Sequence, residues 1–231
     1  MKLILYNNVK LYIPERYFHD DLLDRFKENR YEKEEYNIVN KFFNKNDNVL
    51  EIGSCLGYVT SLLSKKVNSV ITIEANPELK EVLDLSISNN HLNNVKFYNT
   101  YISNNISKNI DFQTYDNVVA GSGDREDKEI NNVRGWGNTQ KIYTITPKKL
   151  MDISNINSIN ALVLDIEGGE LKFIEENQDF ISKNINKICI ELHGHLMKDK
   201  NFDIKCLKIL NELKFKIIIR DGVSYYLEKN Y

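Results

Sequence analysis

Acidic side chains and one histidine follow two predicted strands in the second half of the chain. They are Asp165, Glu167, Glu170, Glu191 and His193. A charge that ends an apolar strand needs a partner or a ligand, because burying an unpaired charge is costly. We therefore expect these side chains to meet at one edge of a sheet and to carry the chemistry of the protein.

Two chemical roles fit this group. In one, Asp165 or His193 is a general base that takes the proton of an acceptor hydroxyl. In the other, some of Asp165, Glu191 and His193 hold a divalent cation that chelates adjacent hydroxyls. We favour the metal-free base and assign no metal ligand, because no recognisable ligand spacing compels a metal. For Glu170 a structural role is equally open, since the first turn of a helix favours an acid.

A glycine turn lies between a predicted strand at 48–52 and a predicted helix that starts at Tyr58. Its spacing is Glu51-x-Gly53-x-x-x-Gly57, not the G-x-G-x-x-G of dinucleotide-binding proteins. Two glycines let the backbone turn sharply and approach a ligand where a Cβ would clash. The missing third glycine argues against a bound pyrophosphate, and thereby against a nicotinamide oxidoreductase.

The next predicted strand ends at Glu74. A carboxylate at such a strand tip can accept hydrogen bonds from both ribose hydroxyls of an adenosine. Asn76 follows two residues later, where helix capping explains it fully. Together with Glu51, Gly53 and Gly57, Glu74 predicts an adenosine-containing ligand without phosphates, and S-adenosylmethionine fits best.

Strands and helices alternate along most of the chain, which is typical of an α/β fold with a mostly parallel, doubly wound sheet. Asp221 and Gly222 predict the turn of an antiparallel hairpin at the C-terminus. A short β-hairpin and one or two helices come first, and we expect residues 1–46 to pack on the core as an extension. Residues 47–231 are expected to form the ligand-binding domain, with its site at the carboxyl ends of the central strands.

The composition excludes several classes of protein. The net charge of −2 and the pI near 6.1 give no global bias towards nucleic acid. Three widely spaced cysteines, Cys55, Cys189 and Cys206, predict neither a disulfide framework nor a zinc site. The sequence contains no apolar stretch of membrane-spanning length and no recognisable signal peptide, so we expect a cytoplasmic protein.

The chain resembles the FkbM family of S-adenosylmethionine-dependent methyltransferases. The glycine turn is shared by many methyltransferase families, whereas the DIEGGE segment is the more specific mark. The matching segments follow the family order over roughly residues 30–227. They are Tyr31-Glu32, VLEIGSCLGYVT at 49–60, IEANP at 73–77, YNTYIS at 98–103, LVLDIEGGE at 162–170 and IELH at 190–193.

The resemblance implies a Rossmann-like class I methyltransferase fold and O-methylation of a sugar or another small hydroxylated metabolite. A lysine is common in the family where this chain has Leu164, so no catalytic lysine is carried over. The resemblance also implies a set of residues that bind S-adenosylmethionine. They are Glu51, Gly53, Ser54, Gly57, Tyr58, Glu74, Ala75, Asn76 and Tyr101.

A polar, glycine-bearing loop at 121–137 interrupts the alternation and is a candidate lid over the acceptor. Trp136 lies between two glycines and could stack on a sugar ring, or simply anchor an ordinary exposed loop. Two other functions stay open. A nucleic-acid 2′-O-methyltransferase would need a basic groove, which the sparse lysine pairs do not indicate. A non-catalytic scaffold with this fold is disfavoured by the acids at the strand tips.

Overall fold

The structure is a computed structural model and describes residues 1–104, 109–115, 118–123 and 138–230. The strands are β1 (Lys2–Tyr6), β2 (Val9–Ile13), β3 (Asn48–Ile52), β4 (Ser69–Glu74), β5 (Val95–Asn99), β6 (Tyr101–Ile102), β7 (Asn109–Tyr115), β8 (Val118–Gly123), β9 (Thr139–Ile145), β10 (Ala161–Leu164), β11 (Lys187–Glu191), β12 (Phe215–Asp221) and β13 (Ser224–Lys229).

The α-helices are α1 (Asp20–Lys27), α2 (Lys33–Phe42), α3 (Tyr58–Lys66), α4 (Lys80–Asn89), α5 (Pro147–Ser154), α6 (Glu170–Glu176), α7 (Gln178–Asn184) and α8 (Phe202–Glu212). Short 3₁₀ helices lie at Glu15–Tyr17, Pro77–Leu79 and Gly194–Leu196. Among the described residues, no helix is long and apolar enough to cross a membrane.

The main sheet has the strand order β12-β13-β11-β10-β3-β4-β5. The pairs from β11 to β5 are parallel, and β13 runs antiparallel to both β11 and β12. This arrangement confirms the predicted doubly wound sheet with an antiparallel hairpin at its C-terminal end. It also places β10 directly beside β3, so the ends of these two strands meet at one edge of the sheet.

The apolar residues of the central strands alternate between the two faces of the sheet, as a period of two requires. Val49 and Val163 belong to the core on one face, whereas Leu50 and Leu162 belong to the core on the other. The first core is covered by the N-terminal segment with α3 and α4, and the second by α5 to α8. With both faces covered, the polar ends of the strands are the natural place for a site.

The N-terminal hairpin packs on the sheet as part of the first core. Asn7 and Asn8 both adopt positive φ angles, which the tight turn between β1 and β2 requires. Val9, Leu11 and Ile13 on β2 are fully buried. Two helices follow, separated by Asn29 at a φ of 53°, where the sequence predicted a break. The division into an extension and a domain at residue 46 stays a prediction.

A second sheet has the order β6-β9-β7-β8 and interrupts the alternation after β5. Its strands β7 and β8 precede residues 124–137, and β9 follows them. Residues 121–123 of the loop at 121–137 are the end of β8, and residues 124–137, which include Trp136, lie outside the described residues. The proposed lid therefore stays a prediction.

Candidate active site

The turn between β3 and α3 depends on two glycines at positive φ. Gly53 has a φ of 94°, and a Cβ on it would lie 1.7 Å from the carbonyl oxygen of Asp165. Gly57 has a φ of 82° and caps α3, with the nearest contact of a Cβ at 3.1 Å, on the Leu83 side chain. Position 53 therefore requires glycine, because the ends of β3 and β10 approach each other too closely for a side chain. This requirement holds whether or not a ligand contacts Gly53.

Glu51 is buried beneath the glycine turn. Its Oε2 accepts hydrogen bonds from Thr60 Oγ1 and Thr72 Oγ1, each 2.6 Å long. Its Oε1 is buried and has no hydrogen-bond partner in the described part of the chain. Burial raises the pKa of Glu51 to about 7, although both threonine hydrogen bonds oppose the shift.

Glu74 lies at the end of β4 and holds the backbone of both neighbouring turns. Its carboxylate accepts from the backbone N–H of Cys55 at 2.9 Å and from that of Asn76 at 2.7 Å. Burial raises the pKa of Glu74 to about 7 despite these hydrogen bonds. Asn76 Oδ1 accepts from the backbone N–H of Glu78 at 3.0 Å, which confirms the predicted cap. A carboxylate has about four acceptor positions, so Glu74 can still accept a ligand hydroxyl beside its backbone hydrogen bonds.

The remaining residues predicted to bind the cofactor fall into two groups. Ser54 and Tyr58 flank the glycine turn, and the buried Ser54 Oγ has no hydrogen-bond partner among the described residues. The Tyr58 hydroxyl accepts a hydrogen bond of 2.8 Å from the Asn7 side chain. Ala75 and Tyr101 lie farther along the sheet, where both pack against the small apolar cluster of the second sheet.

A recess with an empty volume of about 310 Å³, part of it open to solvent, lies against the glycine turn. The residues that line it come from β3, β10, α3 and the N-terminal helices. They are Tyr31, Glu32, Glu35, Glu51, Gly53, Ser54, Cys55, Tyr58, Val59, Val163 and Asp165.

Sequence reasoning did not assign a role to Tyr31, Glu32 or Glu35, which enter the recess from the N-terminal extension. Glu32 has a φ of 49° immediately before α2, and burial raises its pKa well above the usual range. Glu35 is buried on α2 and accepts a hydrogen bond from Ser224 Oγ on β13. A buried acid on the apolar face of a helix is the one signal in the sequence that could have drawn attention to Glu35.

His193 is buried, and the acidic side chains that the sequence predicted for the site surround its imidazole. Its Nδ1 lies 2.9 Å from Glu170 Oε1. Its Nε2 lies 3.5 Å from Glu191 Oε1, 3.6 Å from Asp165 Oδ1 and 3.9 Å from Glu167 Oε2. We call these five residues the His193 cluster; the structure brings together every residue that the sequence predicted for chemistry.

His193 reaches Glu191 through a turn that follows β11. The strand ends at Glu191. The Leu192 N–H then donates to the carbonyl of Val223, and His193 immediately precedes the 3₁₀ helix Gly194–Leu196. His195 is exposed within this short helix.

Glu170 organises the turn between β10 and α6. Its Oε1 accepts from the backbone N–H groups of Ile166 and Gly168 at 3.1 and 3.0 Å, as well as facing His193 Nδ1. The same turn contains Glu167 and Gly168 at φ angles of 55° and 96°. A non-glycine residue in this region is uncommon and often marks a functional site. Here the conformation aims the Glu167 carboxylate at the imidazole.

The electrostatics of the His193 cluster are dominated by negative charge. Burial raises the pKa of Asp165 well above its usual range, and neighbouring carboxylates, Glu191 first among them, add to the shift. Burial also raises the pKa of Glu191, to about 7. Burial alone would lower the pKa of His193, but the hydrogen bond and charge of Glu170 outweigh it and raise the pKa to about 9.

The excess of acids limits how many can be ionised together. Two like charges 4 Å apart repel by about 4 kcal/mol at an effective dielectric constant of about 20. One imidazolium therefore cannot offset all the carboxylates around it, and the cluster retains protons or takes up a cation. A carboxylate of the cluster that stays ionised can accept a proton, and a bound cation can make the proton of an oxygen ligand more acidic.

Known proteins are similar to this chain in sequence pattern and in fold. A model of the Methyltransferase FkbM domain matches residues 45–217. A search of curated protein sequences found no match to this chain. Among solved structures, wild-type Trm5b from Pyrococcus abyssi is similar, with a TM-score of 0.51 and 13% identity over 96% of this chain and 52% of that one. This chain thus spans about half the length of that protein.

Two further solved structures are similar over most of both chains. The precorrin-6y C5,15-methyltransferase from Geobacter metallireducens GS-15 has a TM-score of 0.49 and 11% identity, over 85% of this chain and 84% of that one. An rRNA methylase from Streptococcus thermophilus has a TM-score of 0.48 and 10% identity, over 85% and 94%. At such low identities, structural likeness speaks to the fold alone.

Proposed function

The chain belongs to the FkbM methyltransferase family, and from that premise we propose that this S-adenosylmethionine-dependent methyltransferase acts on a hydroxyl of a sugar or another small hydroxylated metabolite. The observation that carries the proposal is the position of Asp165. It lines the recess beside the glycine turn, and its Oδ1 faces His193 Nε2. A group able to activate an acceptor therefore lies beside the pocket proposed for the cofactor.

Polar groups in and beside the recess suit S-adenosylmethionine, the cofactor expected of this family and fold. Ser54 Oγ and Glu51 Oε1 are buried polar atoms that lack hydrogen-bond partners among the described residues, and they suit the amino-acid end of the ligand. Glu74 suits the ribose hydroxyls. When bound, this cofactor supplies an electrophilic methyl group on a sulfonium. The other residues proposed to hold it are Gly53, Gly57, Tyr58, Ala75, Asn76 and Tyr101.

In this proposal Asp165 takes the proton of the acceptor hydroxyl. Its Oδ1 is buried and has no hydrogen-bond donor among the described residues. His193 is the positioning residue, because its Nδ1 is held by Glu170 and its Nε2 faces Asp165. A carboxylate placed next to both the recess and an imidazole can accept a proton without moving.

The acceptor class is inferred from charge. The acidic side chains of Glu32, Glu35 and Asp165 line the recess, and they offer no positive charge to the phosphates on which nucleic-acid binding depends. A neutral polyol needs no such charge and can form hydrogen bonds with these side chains. We therefore propose a saccharide-like small molecule as the acceptor. A cytoplasmic location is part of the proposal, in keeping with the free Cys55, Cys189 and Cys206.

The test combines cofactor binding with a screen of acceptors. Calorimetric titration with S-adenosylhomocysteine should show micromolar-range binding to the wild type. Release of S-adenosylhomocysteine from S-adenosylmethionine should then be detected with members of a panel of sugars and polyols, and not with structured RNA. Asp165→Asn should lower that turnover by about 10²–10⁴-fold with little change in binding. Glu212→Gln, an exposed acid on α8, is the matched control.

Two results would contradict the proposal. Turnover on RNA alone would replace the sugar with a nucleic-acid acceptor. Failure of the folded wild type to bind S-adenosylhomocysteine would favour a non-catalytic scaffold. Circular dichroism of each protein establishes that it is folded before the comparison is made.

A further inference from the structure

We propose that Asp165, Glu170 and His193, with Glu191 beside them, form a binding site for one divalent cation of the Mg²⁺ or Mn²⁺ class. The proposal differs from the metal-free base that sequence spacing favoured, because spacing does not show how the side chains converge. Cation binding itself can be measured with no cofactor or acceptor present. Only the part that the cation would play towards an acceptor hydroxyl rests on the proposed function.

The imidazole is oriented as a metal-binding histidine is. Glu170 Oε1 lies 2.9 Å from His193 Nδ1 and also accepts from the backbone N–H groups of Ile166 and Gly168. A carboxylate that fixes one ring nitrogen and leaves the other for a cation is a recurrent arrangement in metal sites. Glu170 Oε1 therefore positions the ring. Nε2 is left as the ligand atom of His193, and the buried Oε2 as that of Glu170.

The oxygens that face Nε2 lie at the spacing of ligands around a cation. Glu191 Oε1 is 3.5 Å away, Asp165 Oδ1 is 3.6 Å away and Glu167 Oε2 is 3.9 Å away. These separations exceed those of a good hydrogen bond. Bonds of about 2.1 Å in an octahedral site place adjacent ligand atoms about 3.0 Å apart and opposite ones about 4.2 Å apart. The observed separations fall between these limits.

Buried oxygens without donors give an independent indication of a missing positive charge. The Glu170 side chain is fully buried, and its Oε2 has no hydrogen-bond partner among the described residues. The Oδ1 atom of Asp165 is also buried and lacks such a partner. In the described part of the chain, His193 is the only ion-pair partner that Asp165, Glu170 and Glu191 have within 4.0 Å. A divalent cation between the oxygens would satisfy the ligand atoms and the charge together.

The ligand chemistry selects the class of cation. One imidazole and several carboxylates suit Mg²⁺ or Mn²⁺, and the nitrogen favours Mn²⁺ of the two. Cys55 lines the neighbouring recess, but the group of described residues that could hold a metal, Asp165, Glu170 and His193, contains no thiolate. The site therefore lacks the soft ligand that zinc and copper prefer. With the proposed acceptor, such a cation would bind a hydroxyl oxygen and make its proton more acidic, so that Asp165 could take that proton more readily.

The experiment uses Mn²⁺ as the probe. The full chain, first treated with a chelator and dialysed, is titrated with Mn²⁺ by calorimetry, and the free ion is followed by electron paramagnetic resonance. We expect one saturable site per chain that Mg²⁺ displaces. Asp165→Asn and Glu191→Gln should each weaken binding at least tenfold, and Glu170→Gln by about 10- to 100-fold. Glu212→Gln should bind as the wild type does.

Glu191→Gln protects the test against a folding defect, because this side chain is 22% exposed and can lose its charge with little change in packing. The proposal is overturned if the folded wild type shows no saturable Mn²⁺ site, or if neither Asp165→Asn nor Glu191→Gln alters binding. Methylation of a sugar that survives a chelator, with no bound ion, would leave the proposed function intact while excluding the cation site. One bound ion with no turnover on any hydroxylated acceptor would support the site and contradict the proposed function.

Discussion

Glu170 Oε1 lies 2.9 Å from Nδ1 of His193, and this contact decides which nitrogen of the imidazole faces the other acids. From its position in the first turn of a helix alone, Glu170 could have a purely structural role, since acids are common there. In the structure, Oε1 of Glu170 accepts hydrogen bonds from the turn between β10 and α6, and the same oxygen contacts the ring of His193. Glu170 thus links the local fold to the site.

Glu170→Gln tests this link. The amide keeps one oxygen that can accept from the backbone, but it loses the charge that orients and stabilises the imidazole. Methyl transfer should fall about 10- to 100-fold, while S-adenosylhomocysteine affinity stays within about twofold of the wild type. Glu175→Gln, an exposed acid on the same helix, should leave both quantities unchanged. Equal turnover in the two variants would contradict a positioning role for Glu170.

Gly53→Ala should destabilise the protein far more than Gly57→Ala. A Cβ on Gly53 would lie 1.7 Å from the backbone oxygen of Asp165, whereas a Cβ on Gly57 would meet the movable Leu83 side chain at 3.1 Å. Both changes add strain at positive φ, of about 1–3 kcal/mol, and only the first adds a clash with backbone. We expect a loss of more than about 3 kcal/mol for Gly53→Ala in urea unfolding. Similar losses for the two variants would contradict the contact between the β3 and β10 ends.

We expect the ionisation of Glu51 to lower the stability of the ligand-free protein as pH rises. The folded state keeps the Glu51 proton up to about pH 7, whereas an unfolded chain releases it near the ordinary value of 4.5. Unfolding therefore releases a proton between these pH values, and the stability present at pH 5 is lost as pH rises through 7. The contribution is at most about 3 kcal/mol.

Urea unfolding at pH 5 and pH 8 measures this effect. Between the two pH values, Glu51→Gln should lose less free energy of unfolding than the wild type does. Glu212→Gln should lose as much as the wild type. Part of the slope should remain in Glu51→Gln, because burial shifts the pKa of Glu74 in the same direction. An unchanged slope would show that Glu51 is ionised in the folded protein at pH 5.

Glu74→Gln should weaken the binding of S-adenosylhomocysteine by about 1–3 kcal/mol. The amide retains one acceptor oxygen, so one of the backbone contacts to Cys55 and Asn76 can persist while acceptance from the ribose hydroxyls is impaired. Calorimetry measures the change, and Glu81→Gln, an exposed acid on α4, is the control. If Glu74→Gln bound the ligand as tightly as the control, Glu74 would serve the fold of the two turns and not the cofactor.

The sequence by itself determined the order and type of the main elements and the identity of the residues at the strand tips. Alternation of apolar residues, the glycine spacing after Glu51 and the acids after β10 and β11 are local signals, and local signals are what a single chain displays. The same signals led to the FkbM methyltransferase family and to a doubly wound sheet, because parallel strands must bring their carboxyl ends to one edge.

Only the tertiary structure decided how those residues meet. Packing of the N-terminal helices brings Glu32 and Glu35 to a recess that is also lined by residues of β3 and β10. The role of Gly53 depends on Asp165, and the orientation of His193 depends on Glu170, each across a crossover between strands. Periodicity fixes the face on which a side chain lies. Distances between atoms of separate strands are set by side-chain packing, which no local pattern in the sequence displays.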